Sequence, residues 1–155
     1  MDFNSIAELE RYLMGELQKT MESQVVKEVR DTMRESIVAH VYSFPPSSRY
    51  TRRKEQGGLL DYKNMPYKVS RGSNSVAINL KNDTRASTMS FKNVANIVET
   101  GKGYTWTTSE YYRKEHMGDP IARKFTMPTA IKLQTSKRHV DALKKGLRNK
   151  GITVT

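Results

Sequence analysis

The sequence predicts an α+β fold: a long N-terminal helix and a C-terminal helix packed on a small, mainly antiparallel β-sheet, with a long loop and arm. Three observations carry this. Residues 5–42 space their apolar side chains at helical intervals without a proline. Two short alternating segments follow at 67–71 and 76–80 around Gly72-Ser73-Asn74-Ser75. Residues 125–151 then return to a helical pattern rich in Lys and Arg. We read 155 residues as one domain, 1–155, comprising an N-terminal helix (1–42), an extended arm or loop (43–65) and an α+β core with the C-terminal helix (66–155).

Ser5 with Glu8 three residues later is a capping-box pattern and opens the first helix. Its apolar row is Leu9, Leu13, Leu17, Met21, Val25, Val29, Met33, Ile37 and Val41, every step being four residues. A step of four overshoots one helical turn by roughly 40°, so over the whole row the stripe winds almost around a straight helix. Either the helix breaks, or its halves pack on different objects. Val26 and Val38 add a second apolar row to the C-terminal half only.

Pro45-Pro46 ends the helix and begins the arm, which carries Arg49, Tyr50, Arg52, Arg53 and Lys54 and then Gly57-Gly58-Leu59-Leu60-Asp61. A connection of this length is either functional or a solvated arm. In the hairpin, Val76, Ile78 and Leu80 should face the core and Asn79 should face outward. Ser90 is placed to cap a short helix through Val98, which Gly101 ends. Residues 102–122 are irregular and hold Tyr104, Trp106, Tyr111 and Tyr112 beside Arg113 and Lys114, with a possible strand at 104–108. The final helix tolerates Pro128 in its first turn and presents Ile131, Val140, Leu143 and Leu147; Thr135-Ser136 marks a possible break. Residues 152–155 alternate like a short edge strand.

The formal net charge is +11, unevenly placed. Residues 1–42 hold five basic and eight acidic side chains; residues 43–155 hold 22 basic and eight acidic. Such polarity favours an acidic partner, either nucleic acid or an acidic protein surface. An apolar fraction of 36% and a mean hydropathy of −0.71 suit a modest core or a fold that gains burial from neighbours. The absence of cysteine excludes disulfides, thiolate zinc sites and cysteine nucleophiles. No apolar run is long enough for a membrane helix, and the first residues do not read as a signal peptide.

The residues offer little chemistry. His40, His116 and His139 lack partners at ligand spacing, and no Gly-x-Ser-x-Gly elbow occurs. We therefore expect no catalytic, cofactor-binding or metal site. Asp61, Asp83, Glu99 and Asp119 leave open a metal-dependent nuclease, and the basic excess with the aromatic loop leaves open a small basic nucleic-acid-binding protein. No named nucleic-acid-binding motif supports either.

The ordered set Val41-Tyr42, Pro45-Pro46, Tyr50-Thr51-Arg52-Arg53, Gly57-Gly58-Leu59-Leu60-Asp61, the hairpin, Val98-Glu99-Thr100-Gly101, Arg123, Phe125, Pro128 and Ala142-Leu143-Lys144-Lys145-Gly146-Leu147 resembles the small neck and tail-completion proteins of long-tailed bacteriophages, also described as head–tail joining or minor tail components. Here Lys124 and Thr126 flank Phe125, where the family often has a second proline. The resemblance implies a non-enzymatic virion component, made in the bacterial host cytoplasm. It implies a homo-oligomeric ring, commonly a hexamer, between the portal–connector complex and the tail tube, flanking passing genomic DNA. Tail terminators and connector adaptors or stoppers are related layers. On this reading the interaction residues are Tyr50, Arg52, Arg53, Tyr104, Trp106, Tyr111, Tyr112, Lys144, Lys145 and Arg148, with Trp106 and Tyr112 as apolar anchors and the basic residues as charge partners.

Overall fold

A computed structural model describes residues 3–43, 51–86, 92–102 and 121–154. Its longest element begins where Ser5 accepts a hydrogen bond from the Glu8 N–H (3.2 Å), while Glu8 Oε2 reaches back to the Asn4 N–H (3.0 Å). From there helix α1 (Ile6–Thr20) continues through a π turn (Met21–Val25) into α2 (Val26–Ile37) and a second π turn (Val38–Tyr42). The backbone stays right-handed helical at each junction. The element is therefore one rod of about 55 Å.

The two π turns resolve the winding stripe in a way the sequence did not suggest. A single π turn, with its i→i+5 bonding, accommodates one more residue than an α turn. Each removes roughly 100° of accumulated rotation, leaving roughly 120° of a drift of roughly 320°. The helix does not break, and Val25, Met33, Ile37 and Val41 all reach the interior. The outer half fares differently: Leu9 and Leu13 remain exposed, although they continue the same row.

The core lies at the C-terminal end of this rod. Met33, Ile37 and Val41 pack with Leu59, Leu60, Met65, Ala95, Val98 and Phe125, bordered by Tyr42, Tyr62, Leu80 and Val94. The described part of the arm, 51–65, is thus not an extended arm. Its Leu-Leu pair and Met65 are core residues, and Asp61 caps a 3₁₀ turn (Tyr62–Asn64) by accepting from the Lys63 N–H. The Gly57-Gly58 pair makes the fold-back possible. Gly57 has φ +75, and a Cβ on Gly58 would sit 2.5 Å from the Lys54 carbonyl oxygen.

Strands β1 (Tyr67–Arg71) and β2 (Val76–Leu80) form the expected antiparallel hairpin, with Tyr67 opposite Leu80 and Val69 opposite Ile78. Val76, Ile78 and Leu80 are half-buried on one face, whereas Ala77 and Asn79 are exposed. Helix α3 (Val94–Thr100) is capped by Asn93, whose side chain accepts from the Asn96 N–H; Ser90 lies outside the described residues. Gly101, at φ 69, ends it as expected.

The helical stretch expected over 125–151 is two helices, α4 (Thr126–Ser136) and α5 (Arg138–Arg148), with the break falling directly after Thr135-Ser136, the pair that marks one in the sequence. Lys137 separates them in the left-handed conformation (φ 56), its N–H bonded to the Leu133 carbonyl. The expected apolar side is split accordingly: Leu147 is buried, whereas Ile131 is exposed. Residues 152–154 form no strand; the Ile152 N–H bonds instead to Leu147 O (3.1 Å), closing the end of α5.

Helix α4 packs on α2, and α5 packs along the first π turn and α1. Small hydroxyl residues lie buried along this seam besides the apolar Val25, Val26 and Leu147. Thr20 and Thr32 are fully buried, each hydroxyl satisfied by the carbonyl four residues earlier (2.8 and 2.9 Å). Gly146 sits against this seam so closely that an added Cβ would lie 2.4 Å from Thr20 Cγ2 and 3.1 Å from Gln24 Cγ.

Glycine-to-alanine substitutions should therefore act in opposite directions at two helical sites. Gly146→Ala overpacks the seam, a cost of about 1–3 kcal/mol against a helix-propensity gain of about 1 kcal/mol. Gly15 has open space around it. Gly15→Ala should stabilise by about 0.5–1 kcal/mol. Thermal unfolding should show a lowered Tm for the first and a Tm raised by a few degrees for the second.

Candidate assembly interface

The segments Val98–Gly101 and Arg123–Pro128 meet in space. The Arg123 N–H donates to the Val98 carbonyl (2.8 Å), and the Phe125 ring is buried in the core beside Val98. The Glu99 carboxylate bridges the two: Oε2 accepts from the Phe125 N–H (3.1 Å) and Oε1 from the Thr126 N–H (3.2 Å). These are unsatisfied donors at the start of α4, where the helix dipole also favours a negative charge. Phe125 has no capping side chain of its own. Glu99 supplies the cap from 26 residues away.

This arrangement joins the described residues 98–99 to 123–126; the segment 103–120 lies outside the described residues. Tyr104, Trp106, Tyr111, Tyr112, His116 and Asp119 belong to it, as does the possible strand at 104–108; Tyr50 also lies outside. The scaffold that returns the chain to within a hydrogen bond of its departure point is described, and it is made by Val98, Glu99, Arg123 and Phe125.

The arginines singled out from the sequence have partners inside the fold. Arg52 donates to the Tyr42 carbonyl (3.0 Å) and stacks over the Tyr42 ring at 5.0 Å. Arg53 donates to the Arg85 carbonyl. Both tie the loop 51–60 to its neighbours. Arg148 donates to the Val154 carbonyl (3.1 Å). Lys145 is exposed and Lys144 half-buried on α5, on a different element from the two arginines.

Part of the charge asymmetry is also spent internally. Glu35 pairs with Lys132 (2.6 Å) and Arg138 (2.9 Å), Arg138 also meets Glu28 (2.7 Å), and Glu16 pairs with Lys150 (2.6 Å) and Lys19 (2.7 Å). The acidic rod is thus one partner of the basic C-terminal helices. Lys132 and Arg138 hold the Glu35 carboxyl below the usual range, and Lys150 with Lys19 does the same for Glu16.

A second polar cluster fixes the rod to the hairpin. Tyr62 donates to Asp31 Oδ1, Arg30 and Arg34 lie over the Tyr62 ring, and Arg30 donates twice to the Met65 carbonyl (2.7 and 3.0 Å). Burial pushes the Asp31 carboxyl up, but the Tyr62 hydroxyl, Lys27 and Arg34 outweigh it and hold it low. Between this cluster and α5 runs an open groove of about 520 Å³, lined by Arg34, Glu35, Val38, Glu55 and Arg138.

The described carboxylates among those that sequence reasoning kept for metal chemistry, Asp61, Asp83 and Glu99, have structural work. Asp61 accepts from the Lys63 and Gly57 N–H groups (both 2.9 Å), and these bonds hold its carboxyl low. Asp83 accepts from the Asn93 side-chain amide (2.9 Å), and Glu99 caps α4. No cluster of three or more potential metal-ligating His, Asp or Glu residues occurs among the described residues. Likewise, none of their helices is long and apolar enough to cross a membrane. The capping role of Glu99 had no signal in local spacing, because its partners are so distant in sequence.

Two outcomes follow from the clamp and the ion pairs. Glu99→Ala should destabilise by about 1–2 kcal/mol, and Glu99→Gln, which keeps an acceptor, by less; urea unfolding would measure both. The pH dependence follows from lowered folded-state pKa values at Glu16, Glu35, Asp31 and Asp61. Their stabilisation is complete above the unfolded values, about pH 4, and is lost as pH falls through the lower folded values. Melting temperature should hold between pH 5 and 7 and drop below pH 4, with a shallower drop in Glu16→Gln/Glu35→Gln.

A family model, described as YomN, matches residues 5–149. No curated protein matches, and no solved structure does. The family name is phage-derived, which marks the chain as phage-associated. The match runs from the N-cap of the long helix to the end of α5 and takes in the rod, the hairpin and the Glu99 clamp. The chain belongs to the YomN family.

Proposed function

We propose that this chain is a structural subunit of the phage neck, a tail-completion ring component joining the portal–connector complex to the tail tube beside the DNA passage. The observation that carries this is the clamp. Four residues of the scaffold bring the ends of an aromatic and basic segment to one point and hold them there. A loop presented from a rigid base is the usual way to offer a binding surface without disturbing a core. Trp and Tyr supply apolar area at low entropic cost, and Arg and Lys set orientation by charge.

Further support comes from the phage-associated family and from apolar side chains left bare on helices. The described carboxylates serve as helix caps and turn ligands, and the described arginines of the arm bind backbone carbonyls. Neither arrangement favours a nuclease or a phosphate-tracking groove. In this role Trp106 and Tyr112 anchor the loop on a neighbouring protein. Lys144, Lys145 and the loop's basic residues meet acidic side chains there.

The test is a phage lacking the gene. Electron microscopy should show filled heads and separate, finished tails, and adding purified protein should join them. Joined, infectious particles in its absence would sink the proposal. Trp106→Ala should leave the Tm of the isolated protein unchanged and lower joining in the same complementation assay about tenfold or more, the loss expected for an aromatic anchor.

A further inference from the structure

Among the described residues, the exposed large apolar side chains include two helical groups, besides Val38 on the second π turn and Tyr67 on β1. On α1 these are Ile6 (77% exposed), Leu9 and Leu13, on one side of the helix. On α4 they are Met127 (62%) and Ile131 (53%), one turn apart, with exposed Ile121 just before the helix. The ion pairs fix where each patch lies. Lys150, just beyond α5, meets Glu16, so the first part of α1 projects past the end of the C-terminal helices. Lys132 of α4 meets Glu35, and Phe125 packs with Ile37 and Val41, so α4 lies at the other end of the rod. The patches are therefore separated by roughly 40 Å, the rise from Leu9 to Ile37. They cannot cover each other within one chain.

Their surroundings are complementary in charge. Residues 2–13, which span the first patch, contain three acidic side chains and one basic, Arg11; residues 121–132 contain three basic and no acidic, of which Lys132 already pairs with Glu35. Glu8, Glu10 and Lys124 are all exposed. From this pairing we propose that the Ile6–Leu13 face of α1 docks on the Met127–Ile131 face of α4 in a second copy of this chain. The two surfaces differ, so the contact is head-to-tail and propagates from copy to copy, and the neck reading supplies its closure into a ring. Apolar patches rimmed by opposite charge bury the bare side chains and set the orientation. The inference deepens the neck reading by naming the surfaces that join one subunit to the next, and it rests on that reading for the ring.

The absence of native cysteine makes the test clean. Full-length Leu9→Cys and Ile131→Cys proteins are prepared separately, checked for wild-type Tm, and oxidised alone and as a mixture. The contact predicts crosslinked dimers in the mixture and none in either protein alone. The double variant Leu9→Cys/Ile131→Cys should give a ladder of multimers. Crosslinking of Leu9→Cys with itself would replace the head-to-tail contact with a symmetric one and overturn the inference. So would an absence of crosslinks in every arm at concentrations up to about 1 mM. Either failure leaves the neck role standing or falling on the particle phenotype, which is a separate measurement.

Discussion

The rest of the structure depends on the phase of one long helix. Its apolar residues recur every four positions, and an unbroken α-helix would scatter them around its circumference. Two π turns keep Val25, Met33, Ile37 and Val41 of this row on one side, in the interior, while Leu9 and Leu13 stay outside. That side then receives everything else: the Leu59-Leu60 turn, β2, α3 and Phe125 at one end, and the two C-terminal helices along its length. Buried Thr20 and Thr32 lie where α5 and α4 approach, and Gly146 fits only because the seam is narrow. A helix wound without the π turns would turn these positions away from their partners.

On this frame the remaining interactions divide into fastening and presentation. Glu99 fastens α4 to α3 across a long excursion, Asp61 holds the turn of the arm together, and Tyr62 ties that turn to Asp31 of the rod. The ion pairs from Glu16, Glu28 and Glu35 fasten the basic C-terminal helices to the acidic rod. Exposed pairs of this kind each contribute little, about 0–1 kcal/mol, so their role is orientation more than stability. What is presented among the described residues is the pair of bare apolar faces at opposite ends of the rod. The proposed assembly uses these presented parts, whereas the fastening residues carry its load.

The fold class was legible because its signals are local. A capping box, a hairpin with alternating residues, and a glycine helix stop each depend on a few neighbouring positions, and Ser5, Val76–Leu80 and Gly101 behave as their spacing implies. The rest was hidden because it depends on contacts distant in sequence. The four-residue repeat exposed the phase problem in the rod but not its solution. The charge imbalance suggested an external acidic partner, while part of that partner is the chain's own first helix. Arg52 and Arg53 read as a binding pair, yet each donates to a backbone carbonyl of another segment, Tyr42 and Arg85. Leu59 and Leu60 looked like part of an arm because a two-residue apolar run has no periodicity to reveal a core position. The paired segments around Glu99 and Phe125 were recognisable as a unit, but only their geometry shows that a carboxylate on one caps the helix begun by the other.

The central claim is that this scaffold exists to be assembled, its bare faces and clamped loop being covered by neighbours in a particle. Reconstruction of the head–tail junction by electron cryomicroscopy tests it most directly. The account predicts a closed ring of this chain at the junction, with α1 of each copy lying on α4 of the next and the segment 103–120 against an adjoining layer. A junction with no density for this chain, in particles that are complete and infectious, would contradict it.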